Sequence, residues 1–134
     1  MIGDGTPARV VARVRGLCLA LPEAYEEHAW VGIRWRVRGR TFAHVLTVAN
    51  GWPPAYSRAA GTDGPAHVLM FRAVGPELDA LRAAGPPCFA TPWRADELGM
   101  LLTADTDWSE VSELLVESYR VQAPKRLVRE LDER

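Results

Sequence analysis

Fifteen of the sixteen basic residues in this chain are arginines, and four of them, Arg34, Arg36, Arg38 and Arg40, stand at every second position. Ile33, Trp35 and Val37 alternate with the first three, which is the period of a half-buried strand. That pattern sets Arg34 and Arg36 on one face about 7 Å apart, with Arg38 and Arg40 at a turn around Gly39. A row of forked donors at that spacing suits phosphate chemistry. A two-stranded basic ribbon is also the right size to lie along a phosphate backbone or to enter a groove. The competing reading is a solvated hairpin face, on which long arginine stems cover sheet atoms. Lys125 and Arg126, opening the last helix, would extend the basic surface, and Trp52 and Tyr56 could stack on bases or on a small ligand. The chain also carries 19 Ala, 11 Gly and 10 Pro, as a high-GC coding bias would give, so arginine placement carries the argument and arginine abundance does not.

Other chemistry finds less support. Ser57, Ser109, Ser112 and Ser118 are the only serines, and none lies in a Gly-x-Ser-x-Gly context. No glycine pattern fits a phosphate loop or a dinucleotide fingerprint, so no cofactor is expected. Cys18 falls on the apolar stripe of a helix and reads as core; Cys88 opens a strand. His28, His44 and His67 have no helical metal spacing. Glu23, Glu26, Glu27 and His28 carry metal-ligand atoms but read as a solvated acidic connector, and no metal site is assigned. His44, on the apolar face of the hairpin, reads as a partly buried histidine with a hydrogen-bond partner. The seven acids between 96 and 117 fit helix polarity better than acid–base work. An enzyme is the least supported class.

The elements that must position these residues follow from periodicity. Thr6 is an N-cap candidate and Pro7 suits the first helical position. Val10, Val11, Val14, Leu17, Cys18 and Leu21 then share a face until Pro22. A tight hairpin through Arg38 and Gly39 pairs Val37 with Arg40, Trp35 with Phe42 and Ile33 with His44. Its apolar face holds Ile33, Trp35, Val37, Phe42 and Leu46; the other holds Arg34, Arg36, Thr41 and Ala43. Residues 49–66 read as a long Pro/Gly-rich loop, a candidate ligand or protein-interaction segment. A strand over 67–72 follows, then a helix from Gly75 to Gly85 with Leu78 and Leu81 inward. Strands over 88–93 and 98–103 come next. Asp107 caps a helix carrying Val111, Leu115 and Tyr119, and Pro124 starts a last one with Leu127, Val128 and Leu131 inward. The order α-β-β-β-α-β-β-α-α predicts an α+β fold with an antiparallel sheet and helices on one face.

The 134 residues fit one domain, with an ordered core over roughly 7–131. Net charge is −1, which argues against a strongly basic binder, yet residues 1–72 carry +4 and residues 73–134 carry −5. No apolar run reaches membrane-spanning length, residues 1–5 show no leader features, and two cysteines make no disulfide framework. A cytoplasmic protein is expected.

Four stretches taken in order resemble the MmcQ/YjbR family. They are Leu19-Ala20-Leu21-Pro22 with its acidic sequel, Trp35 to Ala43, Asp107-Trp108, and Glu117 to Lys125. The likeness runs over roughly residues 8–130. It implies a small bacterial α+β domain of the double-wing type, related in shape to frataxin-like proteins and labelled DNA-binding by fold analogy. It supplies no catalytic residues. The family's usual lysine after the hairpin glycine is here Arg40.

Overall fold

The computed structural model describes residues 5–134; Met1 to Asp4, part of the stretch read above for a leader, lie outside the described residues. Five helices and six strands follow in the order α1 (Ala8–Leu19), β1 (Tyr25–His28), β2 (Ile33–Val37), β3 (Arg40–Val48), α2 (Pro54–Ala60), β4 (Ala66–Arg72), α3 (Gly75–Ala84), β5 (Cys88–Ala90), β6 (Glu97–Leu102), α4 (Trp108–Gln122) and α5 (Lys125–Asp132). The strands form one open sheet, ordered β1-β2-β3-β4-β6-β5 and antiparallel throughout. The α+β class stands as expected, with two elements more than the periodicity showed.

The first is β1. Residues 23–29 are not a solvated connector, because Tyr25–His28 pairs along β2, setting Glu26 opposite Trp35 and Glu27 opposite Arg34. The second is α2, inside the segment expected to be a loop. Pro54 occupies its first turn and Gly61, at φ +71°, ends it in the left-handed conformation. The first helix also starts one residue later than expected. Pro7 is its N-cap, and the Thr6 hydroxyl instead meets that of Thr47 at 2.7 Å.

Alternation along the strands makes two apolar clusters. Trp35, Val37, Ala43, Val45, Leu69, Phe71, Leu98 and Met100 face α1, α3, α4 and α5, packing on Val14, Cys18, Leu115, Tyr119 and Leu127. On the opposite face Leu46, Val48, Val68 and Met70 form a smaller cluster with Val31, and Tyr56 of α2 packs against it. The expected helix-on-one-face arrangement is therefore true of four helices, while α2 covers part of the other face.

The hairpin departs from the expected register. Val37 pairs with Arg40 as anticipated, but Phe42 is an extra residue, so Trp35 meets Ala43 and Arg34 meets His44. This β-bulge turns Phe42 and Ala43 both toward the helices and re-aims His44, with Leu46, to the other face. Phe42 and Trp35 are fully buried. Phe42 meets the Tyr119 ring edge-on at 5.5 Å. Backbone groups at the bulge find partners on α4: Ser118 donates to the Phe42 carbonyl at 2.5 Å and accepts from the Arg72 N–H at 2.7 Å, and Gln122 donates to the Thr41 carbonyl at 2.9 Å.

Candidate functional site

Beside α2, the sheet face away from the main core stays uncovered and forms a cleft of about 990 Å³. Arg34 and Arg36 of β2, Arg40 and His44 of β3, and Arg72 of β4 enter it from the sheet. Trp30 from the β1–β2 turn, Tyr56 from α2, and Trp93 and Arg94 from the β5–β6 connection rise around it. Five guanidinium groups thus line the cleft against one carboxylate, Glu97. From β2 to β6 are three inter-strand steps, about 14 Å.

Local backbone geometry explains the walls. Gly32, at φ +75°, allows the β1–β2 turn to fold onto β3; a Cβ there would stand 1.9 Å from the Val45 carbonyl oxygen. His44 Nε2 donates to the Val31 carbonyl at 2.5 Å and fixes the same turn. Trp30, 82% exposed, lies at 5.4 Å from the Trp52 ring, tilted by 58°. The Tyr56 ring stands edge-on to His44 at 6.1 Å and to Trp93 at 5.2 Å. Burial, with Glu97 nearby, holds the Tyr56 phenol above its ordinary range. Trp93 donates its indole N–H to Glu97 at 2.7 Å.

The arginines differ in how far they are already engaged. Glu27 accepts from Arg34 and, at 3.0 Å, from Arg36, and these guanidiniums hold its carboxyl below the usual range. Arg36 also donates to the Gly39 carbonyl, while its Nε is buried without a hydrogen-bond partner. Arg72 pairs with Asp96 at 3.2 Å. Arg40 and Arg94 are exposed, and among the described residues neither forms an ion pair. Arg34 and Arg36 are therefore half-buried and partly neutralised, not the bare solvated face that strict alternation suggested.

Of the residues singled out from sequence, Arg34, Arg36, Arg40 and Tyr56 meet in this cleft, and Trp52 touches its rim through Trp30. Arg38 and Arg126 converge elsewhere, on Glu23, at 2.8 and 3.3 Å. Lys125 is exposed three residues beyond Gln122, which does line the cleft. Glu26 points to the opposite face, where Arg15 grips it with two hydrogen bonds of 2.7 and 2.9 Å and Trp35 donates at 2.9 Å. Among the described residues no three His, Cys, Asp or Glu side chains come together as a metal site. Burial pushes the Cys18 thiol far above its ordinary value and raises that of Cys88, so neither is primed as a nucleophile. Sequence reasoning missed Trp30, Arg72, Trp93 and Arg94. The pairing of β4 with β3 and β6 brings Arg72, Trp93 and Arg94 to the arginine row, and the β1–β2 turn brings Trp30.

No helix among the described residues is long and apolar enough to cross a membrane. No curated protein is significantly similar in sequence. Among solved structures, a Pseudomonas syringae protein superposes with a TM-score of 0.61 at 14% identity, covering 87% of this chain and 99% of its own. A Deinococcus radiodurans protein described by its DUF419 domain gives 0.61 at 19% identity, covering 91% of this chain and 87% of its own. At these identities the likeness concerns the fold. The YjbR family model matches residues 19–121, which include β1–β3, the bulge and every residue lining the cleft but Gln122; the chain belongs to the YjbR family.

Proposed function

We propose that this chain is a nucleic-acid-binding module, with DNA the first candidate ligand. The observation that carries the reading is the meeting of five guanidinium groups with Trp30, Tyr56 and Trp93 in one cleft. Arginines alone are common on sheet faces, and so are stray aromatics; a concave surface holding both is suited to phosphates and bases together. Arg34, Arg36 and Arg40 are the phosphate contacts inside the cleft. Outside it, Lys125 and the Glu23-paired Arg38 and Arg126 are further phosphate contacts. The −5 of residues 73–134 against the +4 of residues 1–72 makes the total of −1 compatible with such a site. Filter binding with labelled duplex and single-stranded DNA at low salt tests this. Retention that falls steeply as salt rises is expected; no retention of either form overturns it.

A second reading is a small-ligand domain using the 49–66 segment. The cleft volume favours it, since about 990 Å³ lies at the upper end of small-molecule sites and Tyr56 contributes to the wall. Thermal-shift screening with anionic aromatic metabolites examines it directly: a stabilising hit without nucleic-acid binding would select this reading over the first.

A further inference from the structure

The cleft joins two recognition chemistries that a base-paired duplex does not satisfy at once. Its rings present faces and edges, and the faces of duplex bases are hidden in the stack. Its span of about 14 Å across three strand spacings holds only a short piece of chain. Within it Arg40 and Arg94 are exposed cations that form no ion pair among the described residues.

Building on the nucleic-acid reading, we propose that the cleft holds one unstacked nucleotide. Its base lies against Trp30, Tyr56 and Trp93. Its phosphate is held by Arg40, with the Arg36 guanidinium beside it in the lining of the cleft. A nucleotide within a single strand and a free mononucleotide offer the same chemistry, so both are tested as sources.

The experiment uses the full chain and fluorescence anisotropy of a labelled 12-nucleotide single strand, with three competitors: its duplex, a nucleoside 5′-monophosphate and inorganic phosphate. Single strand is expected to bind at least ten-fold tighter than duplex, with the mononucleotide competing at lower concentration than phosphate. Trp30→Ala, at a side chain exposed enough to leave folding intact, is expected to weaken the single strand about ten-fold without changing the salt slope. Arg40→Ala is expected to lower that slope by about one unit. Duplex binding as tight as single strand overturns the inference and leaves the nucleic-acid reading standing. Mononucleotide binding without strand binding keeps the inference and removes that reading. Binding of phosphate as tight as mononucleotide, or an unchanged Trp30→Ala affinity, removes the stacked base.

Discussion

The two faces of the sheet are built from the same strands and satisfy different constraints. Toward α1, α3, α4 and α5 the large strand side chains are buried, Ile33 only partly, and the Glu26 carboxylate is held by Arg15 and Trp35. On the other face the apolar cluster under α2 stops short, and the remaining area carries arginines, exposed rings and an unpartnered Nε. Burial accounts for the first face entirely. It does not account for the second, which leaves 82% of Trp30 in solvent and gathers five guanidinium groups, three of them paired with carboxylates, in one cleft. The boundary between them is the bulge at Phe42, which adds a large ring to the core and hands His44 to the cleft.

The sharpest way to break this comparison is to truncate one residue on each side of β2. Trp35→Ala should cost about 3–5 kcal/mol in urea unfolding, because it empties a fully buried site. The double change Arg34→Ala and Arg36→Ala should cost about 0–2 kcal/mol, since partly exposed pairs contribute little, while removing most nucleic-acid affinity. Comparable stability losses on the two sides would mean that the cleft is only another packing surface. The bulge itself is tested by Ser118→Ala, which strands the Phe42 carbonyl and the Arg72 N–H in the interior. A loss of about 2–4 kcal/mol is expected from two buried unsatisfied groups; a loss below about 0.5 kcal/mol would show that the bulge does not depend on α4.

The helix face was largely legible from sequence, and the cleft was not. The stripe from Val11 to Leu21, the turn at Arg38-Gly39 and the Asp107 cap are local signals, and Asp107 does accept from the Ser109 and Glu110 N–H groups. The missing pieces are set by tertiary pairing. Tyr25-Glu26-Glu27-His28 has no strand composition, and becomes a strand because β2 offers Trp35 and Arg34 opposite its two glutamates. The bulge left no mark in a continuous run from Thr41 to Val48, so strict alternation put Ala43 and His44 on the wrong faces. Only α2 had a readable signal, Pro54 at its start and Gly61 at its end, hidden by the wealth of proline and glycine around it.

A smaller effect sharpens the electrostatic side of the comparison. Glu27 occupies Arg34 and Arg36 in the free protein and so competes with a bound phosphate. Glu27→Gln should raise single-strand affinity roughly three- to ten-fold and steepen its salt dependence. Unchanged affinity would place the phosphate on Arg40, Arg72 or Arg94 and not on the hairpin pair.

The smallest expected effect is in acid. Glu26 and Glu27 are neighbours on β1, both with carboxyls held below the usual range, by Arg15 on one face and by Arg34 on the other. An unfolded glutamate titrates near pH ~4.3. Where the folded value lies lower, the unfolded chain binds more protons, so stability rises with pH across that window. Each contribution is therefore complete above about pH 4.3 and is lost as pH falls through the lower folded value. The faces should separate by salt. Glu27 is the more exposed of the two and its pairing is screened, whereas Glu26 lies between α1 and Trp35, which donates to it. Urea unfolding from pH 3 to 7 should show Glu26→Gln flattening the acid limb at both low and high salt, and Glu27→Gln flattening it only at low salt. If high salt erased the Glu26 effect as well, its carboxylate would be behaving as a surface charge, and the helix face would not be the closed side that the packing describes.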